Sequence, residues 1–443
     1  MKIEKIVPIA VMSIVILDFI GHYLNMNFIV CISIVSILGI AALTTIENIM
    51  IICFICVPFF YLITFKLGQS SCVYYLIGIY FVKYIIEKIK RFNFNDLINK
   101  YLISLLILIV TFRNIFSIEN KRYISWFILT IFFVFAYNDK NFNLKKCIKW
   151  YTISFIISSI LGYIVIKQGR IELLPVDLGV VFNKWNTTYR FVGLMGETNG
   201  YAQVNLILFI VNTISLIRSK NIKNFIKYAV ISAALILFGF MTYSKMYILA
   251  LIIFIILLIL YELYSNMNGR INISRVLAII LMCIIGSIII VKFISSNLDS
   301  SLISNYLVRF TSKDLSTGRL EVYEYFFNLL NTNILYWYFG AGFYKYLIPW
   351  TVTGTNGICA HNIYLECTVL FGIFGVWVIM SLLLYRLVIF KKRKITFLSF
   401  LPLIIFLITG LSLHSMLTNY FYFLLLIIMG VLEKDIYLNS RSE

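Results

Sequence analysis

Apolar residues follow one another along most of this chain in long runs, separated by short polar segments. A helix needs roughly 20 mostly apolar residues to cross a hydrocarbon layer of ~30 Å, and runs of this length predict membrane spans. We predict an all-α fold, a polytopic transmembrane helical bundle of about 12–14 spans that forms a single integral membrane domain over residues 1–443. The first span follows Lys2 and Lys5 without a small-residue cleavage site, so we expect it to be retained. The predicted spans cover residues 6–21, 28–43, 48–65, 71–87, 101–116, 123–137, 150–166, 197–217, 227–241, 246–264, 276–294, 362–390, 396–411 and 416–432.

Composition agrees with this class. The chain is 61% hydrophobic and 13% charged, with a mean hydropathy of +0.94, whereas soluble domains are roughly 45–50% apolar and ~25% charged. The formal net charge of +19 is also typical of nucleic-acid-binding proteins, but the basic residues cluster at the ends of spans. Topology and anionic lipid explain such clusters, so we expect membrane lipids and no nucleic acid as partners.

The basic clusters orient the predicted bundle. They occupy alternate loops, and the positive-inside rule places those loops and both termini in the cytoplasm. The clusters are Lys88, Lys90, Arg91 and Lys100; Lys140, Lys145, Lys146 and Lys149; Arg218, Lys220, Lys223 and Lys227; Arg270 and Arg275; and Lys391, Lys392, Arg393 and Lys394. On the opposite side the orientation leaves two long extracytoplasmic loops, at about 167–196 and 295–360, where we expect function to reside.

Four ionisable residues interrupt the apolar runs: Asp18, Arg113, Lys292 and Glu366. A charge at the bilayer centre costs about 2.5–3.5 kcal/mol on insertion scales. All four lie in the outer halves of their predicted spans, which is consistent with a polar vestibule open to the outside and also with snorkelling to the interface. Both interpretations stay open at this stage.

The first outer loop ends in a predicted helix start. Thr198 or Asn199 is a candidate cap, and Glu197 lies where a helix N-terminus favours negative charge. Arg190 precedes this start, and Gly193 and Gly196 would let the backbone approach a ligand closely.

The second outer loop contains a predicted amphipathic helix over residues 314–330, capped by Ser316 or Thr317 and suited to lie on the outer leaflet. Arg319 falls in its first turn, where a cation opposes the helix dipole and therefore needs another reason to be present. Each of Arg190 and Arg319 is either an interfacial anchor or surface ion pair, or a bidentate phosphate clamp. The aromatic residues that follow, around Gly340 and Gly342, suit an interfacial belt better than sugar stacking.

His361 closes the second loop and is one of three histidines in the chain. It either merely neighbours an Asn362 helix cap or acts as a general base, because the positive end of a helix dipole favours neutral imidazole. Glu366 is about 140° further round the helix, so its partner is expected on another span.

Five motifs in this order resemble the bacterial O-antigen polymerase and O-antigen ligase superfamily, which includes the Wzy-type repeat-unit polymerases. They are "RFVGLMGETNGYA", "MTYSKMY", "STGRLEVYEY", "YFGAGFY" and "HNIYLECTVLFGIFG", and they span roughly residues 190 to 390. Lys245 stands where the family more often has arginine, and Glu197-Thr198-Asn199 replaces a more usual proline-asparagine pair.

The resemblance implies a GT-C-like glycosyltransferase that acts on undecaprenyl-diphosphate-linked oligosaccharides, as donor and acceptor, at the outer face of the bacterial cytoplasmic (inner) membrane. It implies His361 as the catalytic base and Arg190, Arg319 and Lys245 as contacts to the substrate diphosphate. No cofactor and no metal are expected, since the outer loops lack a DxD-type carboxylate cluster. Supporting roles are expected for Asn362, Glu197, Asn199, Glu366, Tyr323 and Tyr344.

Three functions remain after this comparison. A polymerase would transfer the growing glycan onto a lipid-linked repeat unit in capsule, exopolysaccharide or O-antigen synthesis, with a chain-length regulator and a flippase as candidate partners. A ligase would transfer it to another acceptor, such as a lipid A core. The abundance of Ile, Asn, Lys and Tyr favours the polymerase, because it indicates AT-rich coding, which is common in bacteria without an outer membrane. A lipid-linked oligosaccharide transporter or flippase is the third, and the internal repeat and midplane charge pairs typical of one are not evident in the sequence.

Overall fold

A computed structural model of the chain describes residues 2–65, 70–89, 121–138, 142–170, 173, 180–182, 187–219, 221–267, 319–343, 360–391, 397–412, 418 and 420–434. These residues are mainly helical. The helices are α1 (Lys2–Tyr23), α2 (Asn27–Leu43), α3 (Ile46–Cys56), α4 (Cys72–Ile89), α5 (Lys121–Asn138), α6 (Leu144–Lys167), α7 (Thr198–Ile217), α8 (Ile222–Phe240), α9 (Lys245–Met267), α10 (Arg319–Asn331), α11 (Ile334–Phe339), α12 (Ile363–Lys391), α13 (Leu401–Gly410) and α14 (Phe421–Lys434). Short 3-10 turns follow α3 at Val57–Phe59 and precede α13 at Phe397–Phe400.

Every predicted span within the described residues coincides with helix over most of its length. The predicted spans 101–116 and 276–294 lie outside the described residues. In the described part of the chain, four helices combine the length and hydropathy that a membrane span needs: Ile6–Tyr23, Leu144–Lys167, Thr198–Ile217 and Ile222–Phe240. Shorter apolar helices accompany them, so the helical fold with several membrane-length apolar helices is confirmed, whereas the span count and orientation stay predictions.

Two short antiparallel β-ribbons qualify the all-α prediction. Strand β1 (Thr64–Phe65) pairs with β2 (Ser70–Ser71), and β3 (Val180–Phe182) pairs with β4 (Thr187–Tyr189). In the second ribbon Val180 lies opposite Tyr189 and Phe182 opposite Thr187. Their β-branched and aromatic residues are those that favour strands, and β4 leads directly into Arg190.

The chain divides into two compact units. The first comprises Met1–Ser158, Gly318–Arg393 and Gly410–Gly430, and the second comprises Ser159–Thr317, Lys394–Thr409 and Val431–Glu443. The first unit has an aromatic core in which the ring of Phe54 meets those of Tyr151 and Phe423 edge-on, with centroids 5.7 and 5.2 Å apart. Such pairs contribute about 0.5–1.5 kcal/mol beyond the burial of their area.

The second unit is built around α7, whose residues are nearly all buried. At its start, Phe191 stacks on Phe238 of α8 and meets Tyr201 edge-on, with centroids 5.3 and 5.4 Å apart. The Tyr201 hydroxyl and the Ser159 hydroxyl are 2.6 Å apart in a buried hydrogen bond to α6. These contacts hold the segment before α7, which contains Arg190, against the unit's core.

Candidate functional site

His361 occupies a strained turn immediately before α12. Its φ is +48°, in the left-handed region that few residues other than glycine adopt. Backbone conformations of this kind cost on the order of 1–3 kcal/mol and cluster at functional sites. The preceding Ala360 is fully buried, while His361 is half-buried. The turn therefore presents His361 in a defined position at the mouth of α12.

Asn362 caps the same helix, as the sequence predicts. Its Oδ1 accepts hydrogen bonds from the backbone N–H groups of Tyr364 and Leu365, at 2.9 and 3.1 Å. Two N–H groups that the first helical turn leaves without a partner are thereby satisfied. The cap fixes the direction in which α12 leaves the His361 turn.

Tyr323 joins helix α10 to the His361 turn. Its hydroxyl lies 3.5 Å from the carbonyl oxygen of His361 and 3.4 Å from that of Leu411, just after α13. A phenol has a single proton, so it donates to one of these carbonyls at a time. Tyr323 thus ties three separate segments of the first unit together at His361.

Arg319 is the first residue of α10 and lies one helical turn before Tyr323, on the same face. Partial burial lowers the pKa of the Arg319 guanidinium, and its interaction with the Tyr323 phenol acts in the opposite direction. A guanidinium stays protonated in proteins regardless. Within the described residues Arg319 makes no ion pair, so a partly desolvated cation lies one helical turn from the tyrosine that contacts the His361 carbonyl.

Helix α10 is amphipathic, although its buried face is narrower than the sequence predicts. Val322, Phe326 and Leu330 are buried at four-residue spacing, whereas Leu320 is 68% and Phe327 45% exposed. The cap expected from Ser316 or Thr317 lies outside the described residues. Docking on the outer leaflet stays a prediction.

The glycine turn after α11 packs into a break in α12. Gly372 has a φ of +71° inside α12, and a Cβ there would meet the backbone carbonyl of Tyr338. Gly340 has a φ of +81°, and a Cβ there would meet the Leu370 carbonyl oxygen. The Ala341 N–H, which lies just after α11, donates a hydrogen bond of 2.7 Å to the Val369 carbonyl of α12. Close backbone packing, which only glycine allows, thus locks α11 against α12.

Phe343 corrects the expected interfacial belt. It is fully buried, with its ring centroid 5.3 Å from that of Trp126 on α5 and 6.1 Å from that of Phe371 on α12. Tyr336, Trp337 and Tyr338 keep partial exposure. Tyr344 lies outside the described residues.

The two in-span carboxylates, Glu366 and Asp18, are both fully buried. Neither snorkelling nor an open vestibule therefore describes these two residues, while Arg113 and Lys292 lie outside the described residues. Glu366 lies near the Tyr422 phenol on α14, and a bonding partner for Glu366 on another span stays a prediction. Asp18 lies 3.7 Å from the His22 ring nitrogen.

Arg190 is held by two hydrogen bonds within the second unit. Its Nε donates to the Thr242 carbonyl at 3.0 Å, and its Nη2 donates to the Asn199 side-chain oxygen at 2.8 Å. The expectation that Thr198 or Asn199 caps α7 is therefore wrong. The cap position is Glu197, which makes no side-chain capping bond. Asn199 faces Arg190 instead, and these bonds fix the plane of the guanidinium.

Lys245 begins α9, directly after the turn that binds Arg190. The Phe191 N–H donates to the Met241 carbonyl at 3.1 Å, and the Ser244 hydroxyl accepts from the Tyr247 N–H at 3.4 Å, which caps α9. Tyr243 in this turn has a φ of +50°. A second turn with a positive φ, at Tyr243, therefore leads directly into the candidate residue Lys245.

Gly193 packs against helix α6, and its predicted approach to a ligand stays a prediction. It has a φ of +55°, and a Cβ on Gly162 of α6 would lie 2.7 Å from the Gly193 backbone. The absence of a side chain at Gly162 thus lets α6 approach the Gly193 backbone closely. Gly196, with a φ of +88°, sets the chain direction before α7.

The structure brings the sequence-predicted residues into two groups. The first unit holds Arg319, Tyr323, His361, Asn362 and Glu366, and the second holds Arg190, Glu197, Asn199 and Lys245. The joint action of both groups on one substrate stays a prediction. Sequence reasoning missed the Thr242 carbonyl as the anchor of Arg190, although "MTYSKMY" contains it. No cluster of three or more metal-ligating side chains occurs in the described residues.

Comparison with protein families gives a match to part of the chain. Residues 228–380 match the family described as O-antigen ligase. The matched range contains Lys245, Arg319, Tyr323 and His361, whereas Arg190 and Asn199 precede it. No curated protein matches the chain. The resemblance to the O-antigen polymerase and ligase superfamily is thereby confirmed.

Proposed function

Because residues 228–380 carry an O-antigen ligase domain, we propose that this membrane protein is a glycosyltransferase that elongates a polysaccharide from undecaprenyl-diphosphate-linked repeat units. The domain and the apolar helices support a membrane function of the ligase or polymerase type. The polymerase reaction, the lipid-diphosphate donor and the extracytoplasmic site are the parts that we propose.

One contact carries the proposal: the hydroxyl of Tyr323 against the His361 carbonyl, 3.5 Å away. It couples the helix that begins with the Arg319 cation to the turn that presents an imidazole. A cation for a leaving diphosphate and a base for an incoming hydroxyl are the two groups that this transfer needs. Both are found within the first unit, and both lie within the O-antigen ligase range.

The reaction breaks the bond between the anomeric carbon of the donor glycan and its phosphate oxygen, and forms a bond to an acceptor sugar oxygen. His361 takes the proton of the acceptor hydroxyl, a role worth about 10²–10⁴-fold for a positioned base. Arg319 stabilises the negative charge that develops on the leaving undecaprenyl diphosphate. Hydrogen bonds to charged groups contribute about 1.5–3 kcal/mol each, and a fixed guanidinium binds phosphate oxygens in pairs.

Arg190 and Lys245 supply the further diphosphate contacts in this proposal. The bonds of Arg190 to Thr242 and Asn199 hold the guanidinium rigid, so little side-chain entropy is lost when it binds a phosphate. Glu197 and Glu366 would balance the local positive charge. The proposed chemistry uses side chains and backbone alone, without a cofactor or metal.

The acceptor distinguishes the polymerase from its nearest alternative. The O-antigen ligase description favours transfer to a different acceptor, such as a lipid A core. The residue composition favours a polymerase, which uses another lipid-linked repeat unit as acceptor. A flippase that delivers the repeat unit and a chain-length regulator are the candidate partners of a polymerase.

The test uses purified full-length protein in liposomes that contain lipid-linked repeat units. A polymerase produces a ladder of products that increase by one repeat unit, and His361→Ala produces none. A ligase forms a single product, and only when a lipid A core is added. Movement of the substrate across the bilayer without chain growth would identify a transporter and overturn the proposal.

A further inference from the structure

A cavity of about 560 Å³ lies where the α2–α3 corner meets the C-terminal part of α4. This volume is within the ~300–1,000 Å³ range of small-molecule sites. All its lining residues belong to the first unit, and none has a role in the proposed reaction. On the orientation that the basic loops predict, the cavity faces the cytoplasmic leaflet, opposite the glycosyl-transfer site.

The wall of the cavity is largely apolar, and it includes polar groups and both signs of charge. The Asn48 side-chain amide donates to the Thr44 hydroxyl at 2.9 Å, and the Lys83 ammonium donates to the Thr44 carbonyl. Lysine has three donors, and this bond uses one of them. Glu87 lies one helical turn after Lys83 on the same face of α4. A cation and an anion therefore line one cavity.

The rim of the cavity is aliphatic and exposed. Among the lining residues, Leu43 is 91% and Ile86 56% exposed. These two exposed aliphatic side chains on apolar helices match the acyl chains of a lipid. A cavity that combines charged groups with aliphatic side chains fits an amphiphile whose headgroup contacts Lys83 and Glu87 and whose tails run along α2 and α4.

The charges in the cavity limit which lipid headgroups can bind there. A purely anionic headgroup would gain from Lys83 and be repelled by Glu87, whereas one that carries phosphate and ammonium satisfies both. The nearby ion pair of Glu47 with Lys146, 2.7 Å long, neutralises itself and adds no net charge. We propose that this cavity binds the headgroup of a zwitterionic phospholipid, with the phosphate on Lys83 and the ammonium on Glu87.

Native mass spectrometry of the full-length protein with defined lipids tests this proposal. The probes are phosphatidylethanolamine and phosphatidylglycerol, which share the phosphate and differ in the ammonium. We expect tighter retention of phosphatidylethanolamine by the unsubstituted protein. Loss of one charge-assisted contact corresponds to about a tenfold change in affinity, so Glu87→Gln should weaken phosphatidylethanolamine about tenfold and leave phosphatidylglycerol unweakened.

Lys83→Gln should weaken both lipids, and Lys83→Arg should retain both. The matched controls are Lys223→Gln and Glu324→Gln, which make the same changes at exposed positions outside the cavity and should retain both lipids. If Lys83→Gln fails to fold because it loses the hydrogen bond to Thr44, lipid retention by the Glu87→Gln variant tests the proposal alone, since Glu87 is exposed. Two results would overturn the proposal. In the first, Glu87→Gln retains each lipid as well as the unsubstituted protein does. In the second, Glu87→Gln weakens both lipids by the same factor.

Discussion

Replacing Arg319 by lysine keeps the positive charge but removes the planar fork of donors. Lysine and arginine have similar helix propensity, and the described residues show no ion pair for Arg319 to lose. We therefore expect α10 to fold normally. The change converts a bidentate contact with a phosphate into a single one and so removes one charge-assisted hydrogen bond.

Such a bond is worth about 1.5–3 kcal/mol. Arg319 is only partly buried, so the lower part of this range applies. A loss of about 1.5–2 kcal/mol corresponds to a kcat/KM that is ~10–30-fold lower. If Arg319 stabilises the leaving diphosphate in the transition state, kcat falls with kcat/KM and KM changes little.

The assay is the initial rate of ladder formation by purified protein at several concentrations of lipid-linked repeat unit. Arg170→Lys is the matched control, because Arg170 lies in the predicted first outer loop and outside both groups of candidate residues. It should retain the full rate. A wild-type kcat/KM for Arg319→Lys would show that Arg319 is an anchor and would refute the clamp.

Four further predictions follow from the same residues. His361→Ala should insert normally and form no ladder. His22→Gln, at a histidine outside the candidate site, should form the normal ladder. A full ladder from His361→Ala would show that His361 is not the general base. Asn362→Ala removes a helix cap and should lower the free energy of unfolding by about 0.5–2 kcal/mol. The equivalent cap change Asn221→Ala on α8 should cost a similar amount and, unlike Asn362→Ala, leave activity intact. Gly372→Ala forces a Cβ against the Tyr338 carbonyl at a φ of +71°, so thermal unfolding should shift to lower temperature by more than for Gly39→Ala, which has open space. EDTA should leave ladder formation unchanged, and strict dependence on a divalent ion would contradict the metal-free scheme.

Local sequence signals predicted local structure well. The apolar runs predicted the helices within the described residues because hydrophobicity over about 20 residues determines what can cross a membrane. The Asn362 cap followed from its position before an apolar run, since an asparagine side chain can satisfy the first N–H groups of a helix. The amphipathic α10 followed from its periodicity.

Partners from distant segments were not predictable in this way. Asn199 has the residue type and position of a cap, yet its amide oxygen accepts from Arg190 instead, because a charged donor makes the stronger hydrogen bond. Phe343 looked like a belt residue but packs into an aromatic cluster with α5 and α12. The close contact of Gly193 with Gly162 likewise depends on a helix 31 residues earlier in the chain.

The Tyr323 bridge also could not be read from the motifs. "STGRLEVYEY" and "HNIYLECTVLFGIFG" are separated by 35 residues, and neither indicates that a phenol of the first reaches a carbonyl of the second. Two strained turns, at His361 and Tyr243, were equally invisible, since no sequence rule assigns a positive φ to a histidine or a tyrosine. His361 lies on the first of these turns, and the second turn leads into α9, which begins with Lys245.

Photo-crosslinking with a lipid-diphosphate sugar that bears a diazirine beside the diphosphate tests the central claim most directly. Mass spectrometry of the cross-linked peptides should locate the probe at Arg319–Tyr323 and at the His361 turn, with further adducts at the 241–245 turn beside Arg190. An excess of unlabelled lipid-linked repeat unit should suppress these adducts. Adducts found only elsewhere in the chain, undiminished by that competitor, would contradict the assignment of Arg319 and His361 to the glycosyl-transfer site.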